Sequence, residues 1–159
     1  ENSNLVLISG GISVGDYDFV KVALDKIGVK KIFYKVKQRP GKPLFFGEID
    51  NKFIFALPGN PASTLNCFYI YVSQFLSKLM GDTNYSLLRL RAPLKNSFSK
   101  VKGRAVFLKA IYKNYEVVIL EHQQSSKMIS FAHANCLVYF NEGCINLEDG
   151  ALVDVLLLR

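Results

Sequence analysis

Arg39-Pro-Gly-Lys42 sets two cations three residues apart around a Pro-Gly corner. A rigid turn of this kind suits the grip of a tetrahedral oxyanion, because charge-assisted hydrogen bonds to an oxyanion are the strong ones. Two other segments could work with it. Ser9-Gly-Gly-Ile-Ser-Val-Gly-Asp16 follows the apolar run Leu5–Ile8 and precedes a helix-like segment, Asp18–Ile27. Backbone N–H groups in such a strand–glycine–helix turn can point at an anion. Gly10, Gly11 and Gly15 would let the backbone approach a ligand closely, and Ser13 could donate its hydroxyl. Leu57-Pro-Gly-Asn-Pro-Ala-Ser63 offers a second helix start, with Ser63 in its first turn. Each segment also has a plain structural reading. The first is an ordinary strand-to-helix turn. The second is an Asn cap with Pro at the first helical position, and here the cap would itself build the site.

Asp16 and Asp18 sit where a helix begins. Asp caps helices and complements their dipole. A hard cation such as magnesium also takes carboxylate oxygens. Lys35, Arg39 and Lys42 are the basic candidates, whereas Lys37 reads as the solvated face of a strand.

The elements that must position these residues are α/β in the first half. Leu5–Ser9 predicts a buried strand. Asp18–Ile27 predicts a helix with Phe19, Val20, Ala23, Leu24 and Ile27 on one face, stopped by Gly28. Lys31–Lys37 alternates like a strand, and Leu44–Ile49 with Lys52–Leu57 predicts a hairpin around Asp50-Asn51. A helix is expected from Ala62 to Met80, with Leu65, Phe68, Tyr69, Val72, Leu76 and Leu79 as its apolar stripe. Asp82–Ser86 reads as a linker. Beyond it come short strand patterns at Leu88–Ala92, Ala105–Ile111, Glu116–Leu120, Leu137–Phe140 and Leu152–Leu158. The second and third flank a Lys113-Asn114 turn, and the spacing suggests a small barrel or sandwich.

The chain has 159 residues and a net charge of +7, and half of its residues are hydrophobic. That is one ordinary domain or two small ones. The basic residues are spread without an aromatic-basic stripe, which favours small polyanions over nucleic acid. No apolar run reaches membrane-spanning length. Cys67, Cys136 and Cys144 have no CxxC spacing, so free thiols in a reducing cytosol are expected rather than a metal site. His122 and His133 lack acidic partners for a metal pair. The start at Glu1, without Met or a signal pattern, suggests a piece of a longer protein.

Taken together and in this order, the three motifs resemble the molybdopterin molybdenumtransferase family, the MoeA type. The resemblance covers nearly the whole chain. It implies α/β plus all-β architecture: the C-terminal part of a MogA-like molybdopterin-binding α/β domain at 1–81, then a small C-terminal β-barrel at 86–159. It implies insertion of molybdate into adenylylated molybdopterin with release of AMP, with magnesium as cofactor, in a cytoplasmic homodimer that binds neither nucleic acid nor membrane. On this basis Asp18 is the metal ligand and a catalytic residue with Lys35 and Lys42, and Asp16 is left as the cap. Gly10, Gly11, Ser13, Gly15, Pro58, Gly59, Asn60 and Pro61 would bind substrate. Arg39, Lys42 and Ser63 would bind molybdate. Arg104 of Gly103-Arg104 and Ser125 of His122-Gln-Gln-Ser125 match elements of the family's last domain and would face the oxyanion pocket. A surface Arg and a turn Ser are their plain readings, and Ala134-Asn135 fits as structure. The family usually has Lys where Arg39 stands, so a point charge becomes a fork. The family's two N-terminal domains and the opening strands of its α/β domain have no counterpart here. A molybdate pocket with little turnover, and self-association through a bare sheet edge, are therefore expected of the chain alone. A molybdopterin adenylyltransferase, which resembles the α/β domain alone, and a gephyrin-like scaffold module are the alternative readings.

Overall fold

The computed structural model describes residues 3–12, 19–99, 102–124, 128–144 and 146–158. In the first half, β1 (Leu5–Ser9), α1 (Val20–Lys26), β2 (Lys30–Tyr34), β3 (Gln38–Arg39), β4 (Phe45–Ile49) and β5 (Lys52–Leu57) follow in order. The first sheet runs β1-β5-β4-β2, with β1 parallel to β5 and the other pairs antiparallel. Asp50 and Asn51 turn the hairpin with φ of 46° and 60°. Positive φ at both positions matches the strand twist, and Asp and Asn tolerate it.

Four expectations need correction here. β1, expected as a buried strand, has no buried residue, because it lies at the edge of its sheet and leaves Val6 and Leu7 exposed. The strand expected through Lys37 stops at Tyr34, because Lys35 takes a left-handed φ of 64° that a strand cannot continue. The described helix starts at Val20, and only Leu24 of it is buried. Phe19 and Ile27, placed on its apolar face by periodicity, are more than 60% exposed. A helix of seven residues meets the sheet at its middle and leaves both ends of the stripe in solvent.

The second helical stretch, expected as one helix, is built in three parts. α2 (Pro61–Cys67) and α3 (Ser73–Leu79) are joined by a π-helical turn, Phe68–Val72. Inserted hydrogen-bond spacing frees carbonyls, and side chains from the next turn meet them. Ser73 Oγ donates to Tyr69 O at 2.9 Å and Gln74 Nε2 donates to Ile70 O at 2.5 Å. The turn rotates the stripe. Cys67, Val72, Tyr71 and Phe75 pack into the core, while Leu79 is 44% exposed. Phe75 meets Phe46, Phe53 and Phe55 edge-on, at 4.9–5.5 Å between centroids.

The second half holds β6 (Arg89–Pro93), β7 (Phe98–Ser99), β8 (Ala105–Lys113), β9 (Glu116–Ile119), α4 (Ile129–His133), β10 (Cys136–Phe140), β11 (Asn146–Leu147) and β12 (Leu152–Leu157). It is mostly sheet. The order is β3-β8-β10-β12-β6, with β9 beside β8 and a separate β7–β11 ribbon. The outer strands approach each other through a single bridge, Leu94 with Val117. The β8–β9 turn sits one residue later than expected, at Asn114-Tyr115, the two positions with positive φ. Asn135 bonds both backbone groups of Tyr112, at 2.8 and 2.9 Å.

β3 belongs to this second sheet although it lies in the first half of the chain. Gln38 and Arg39 pair in parallel with Ala105 and Val106. Beyond Arg39 the chain turns at Gly41, whose φ is +88°. A Cβ there would collide with Cys67 Sγ and stand 3.2 Å from Gln38 Nε2. Gly41→Ala is therefore expected to cost about 2 kcal/mol, from backbone strain and overpacking together. Urea unfolding checks it, and an unchanged midpoint would contradict the close approach.

Burial pushes the Cys67 and Cys136 thiols up to about 12, whereas Cys144 is only half-buried. The thiolate is the reactive form. A disulfide reagent at pH 8 should therefore label Cys144 in the folded chain and reach Cys67 and Cys136 only on unfolding. Fast labelling of all thiols before denaturant is added would refute this packing.

Candidate functional site

A cleft of about 610 Å³ opens where β3 meets the second sheet. The corner supplies Arg39, Pro40, Gly41 and Lys42 to one wall, and α2 adds Ser63. Arg104, one residue before β8, stands on the other wall with Phe98, Ser99, Gln123 and Gln124. Among the described residues, three cations line the cleft and no carboxylate does. Arg39 and Lys42 form no ion pair with any described residue, whereas Lys21, Lys30, Lys37, Arg89 and Lys95 do. Ser63 is 5% exposed, so its hydroxyl sits at the floor.

The cleft walls are fixed by local bonds. Val36 N donates to Lys42 O at 3.0 Å, closing the loop whose corner is Pro40-Gly41. Ala105 N donates to Lys37 O at 3.1 Å, and Lys37 Nζ reaches Glu142 at 2.6 Å across the junction. Gln123 is held by the main chain of Lys109, accepting from its N–H at 3.0 Å and donating to its carbonyl at 2.8 Å. Lys109 itself is 3% exposed, and its Nζ donates to His122 O at 3.3 Å. Burial lowers its pKa. Burial also pushes the Tyr71 phenol up to about 12, with Cys67 and Tyr139 adding to the shift. Tyr71 therefore keeps its proton and acts as a donor.

A second region lies at the ends of β1 and β5. Gly10 and Gly11 take φ of 90° and 65°. Gly10 N donates to Leu57 O at 3.0 Å, and a Cβ on Gly59 would stand 3.3 Å from Gly10 Cα. The two glycine segments thus need glycine to pack against each other, whatever ligand they meet. Tyr34 OH donates to Ile12 O at 3.2 Å, and Lys35 Nζ lies 4.9 Å from the Tyr34 ring centre. Lys35 therefore stands beside the glycine turn and is not part of the cleft wall. Asn60 caps α2 by position, but its side chain makes no cap hydrogen bond. The Thr64 hydroxyl shares its proton between the Pro58 carbonyl and, at 3.0 Å, Asn60 O, which ties the helix start to the segment before it. Asn60 Oδ1 is buried and finds no partner among the described residues.

The structure thus brings Arg39, Lys42, Ser63 and Arg104 into one cleft, and Gly10, Gly11, Pro58, Gly59, Asn60 and Pro61 to the strand ends beside it. Ser13, Gly15, Asp16, Asp18 and Ser125 lie outside the described residues. Sequence reasoning missed Phe98, Ser99, Gln123 and Gln124. The two glutamines were within reach, since they precede Ser125 in its motif. Phe98-Ser99 is a two-residue strand with no periodicity to betray it.

The chain is similar in sequence and fold to known proteins. The family described as "Probable molybdopterin binding domain" matches residues 1–78, and "MoeA C-terminal region (domain IV)" matches residues 91–158. A molybdopterin molybdenumtransferase of Haemophilus influenzae is 33% identical over 159 residues, covering 96% of this chain and 39% of that protein. One of Staphylococcus epidermidis is 31% identical, covering 97% and 38%. A solved structure of the Pyrococcus horikosii molybdopterin biosynthesis moea protein superposes with a TM-score of 0.78 at 27% identity, over 98% of this chain and 37% of that one. The chain thus spans under two fifths of the length of these relatives. With both matches in chain order and the fold shared, the chain belongs to the molybdopterin molybdenumtransferase family of the MoeA type.

Proposed function

We propose that the cleft binds molybdate for insertion into adenylylated molybdopterin, with release of AMP. The observation that carries this is a concave site lined by Arg39, Lys42 and Arg104, with no carboxylate among the described residues that line it. Clustered like charges repel one another, and a dianion relieves that repulsion while collecting charge-assisted hydrogen bonds. Ser63 would donate to an oxo group from the floor. The relatives named molybdopterin molybdenumtransferase support the substrate class.

The glycine turn and the Pro58–Pro61 segment would hold the pterin and its phosphates, with Gly10, Gly11, Ser13, Gly15, Gly59 and Asn60 as contacts. Lys35, beside that turn, would neutralise developing charge as the phosphoanhydride breaks. Ser125 would join Arg104 at the edge of the cleft. Magnesium enters this reading through Asp18 alone. Among the described residues no group of three His, Cys, Asp or Glu could hold a metal. The cleft residues themselves do not fit a cation, and no step of the reading runs through one.

The second half, with its Leu94–Val117 bridge, is read as a small β-barrel with a thin seam. The boundary between the two units is placed at the 82–86 linker. A cytoplasmic homodimer completes the reading; the free thiols bear on the compartment alone. Among the described residues, no helix is long and apolar enough to cross a membrane. No observation favours the adenylyltransferase or scaffold alternatives.

Titration calorimetry with molybdate tests the central claim. Lys42→Ala and Arg104→Ala should each weaken binding by about 10- to 100-fold, the worth of one charge-assisted hydrogen bond. Raising ionic strength should weaken the wild type as well. Unchanged affinity in both variants would sink the assignment.

A further inference from the structure

Beneath the corner lies a buried polar group that the cleft chemistry does not need. Gln38 is 3% exposed and Asn66 is fully buried. The Tyr71 hydroxyl donates to Gln38 Oε1 at 2.5 Å. Gln38 Nε2 donates to the Pro40 carbonyl at 3.1 Å, and Asn66 Nδ2 donates to the same carbonyl at 3.3 Å. Cys67 Sγ stands 3.6 Å from the Gly41 carbonyl as a weak donor. Both corner carbonyls are therefore held from below by side chains of one helical stretch.

An apolar floor would pack as well without desolvating polar atoms, since Leu44, Cys67 and Val72 already supply one. Asn66 Oδ1 is buried with no partner among the described residues, a standing cost directly under the corner. Tyr71 also lies inside the π-helical turn, a feature that recurs near functional sites. Pairing with the second sheet ends at Arg39, so it does not itself orient Pro40, Gly41 or Lys42.

We infer that Tyr71 and Asn66 are positioning residues for oxyanion binding. They do not line the cleft. Acting through Gln38 and the Pro40 carbonyl, they set the angle at which Arg39 and Lys42 face Ser63 and Arg104. This rests on the oxyanion reading of the cleft given above. Groups that hold binding residues in place matter because a site slightly too loose loses affinity although every contact residue is present.

The test compares Tyr71→Phe with Val72→Ala in the 159-residue chain. The first removes only the hydroxyl. The second removes two methyl groups from the same core and no hydrogen bond to the corner. Tungstate affinity and the thermal midpoint are measured for each. By analogy with groups that orient metal ligands, whose loss costs about 10–100-fold, Tyr71→Phe should weaken tungstate by about tenfold. Val72→Ala should lower the midpoint at least as far and bind tungstate like the wild type. Wild-type affinity in Tyr71→Phe overturns the inference. So does a loss in Val72→Ala that tracks its midpoint, because the role is then merely structural. A wild type that binds no tungstate defeats the oxyanion reading itself, and this inference with it.

Discussion

The parallel pairing of Gln38 and Arg39 with Ala105 and Val106 is the constraint on which the rest of the structure depends. It threads a segment of the α/β half into the edge of the second sheet. Arg104 immediately precedes the paired Ala105, so the same bonds that dock the strand bring Arg104 opposite the corner. Without that pairing the cations would belong to separate units. With it they line one cleft. Two further links span the junction, the Lys37–Glu142 ion pair at 2.6 Å and the Ala105 N to Lys37 O bond at 3.1 Å. The ion pair is exposed and contributes little by itself. The backbone bonds carry the geometry.

Part of the positive charge outside the cleft is paired with neighbouring carboxylates. Lys21, Lys30, Lys37, Arg89 and Lys95 each reach a carboxylate. Among the described residues Arg39 and Lys42 reach none. An excess of +7 over the whole chain says only that anions are attracted. Concentrating unneutralised cations on a corner backed by buried polar groups turns that general attraction into a place. The apolar wall of Val106, Phe107 and Leu108 lowers the local dielectric beside it and strengthens each charge contact.

Much of this was legible in the residues. The Asp50-Asn51 hairpin, the Pro61 helix start and the Arg39–Lys42 corner could be placed because each uses local rules: turn chemistry, a missing N–H, a fixed φ. What escaped depends on partners distant in sequence. β3 is two residues long and pairs with a strand more than sixty positions away, so no periodicity marks it. The π-helical turn left a normal apolar stripe in the sequence, and only the packing of Tyr71 against Gln38 reveals the rotation. α4 is a single short turn, below the length at which a helical period can be read. Lys35 looked like strand because alternation continues through it; its left-handed φ is set by the bend toward Leu44, whose carbonyl its N–H meets at 2.9 Å. The roles assigned to Asp18 and Ser125 rest on resemblance alone, since both lie outside the described residues.

The most direct measurement is an anomalous difference map from crystals of this chain soaked in tungstate. Tungsten scatters strongly enough to be located without interpreting side-chain density. The account predicts one dominant peak in the cleft, within hydrogen-bond reach of Arg39 and Lys42 through its oxo groups, with Ser63 below and Arg104 opposite. A dominant peak at the β1–β5 glycine turn or on the outer surface, with none beside Arg39 or Lys42, would contradict it.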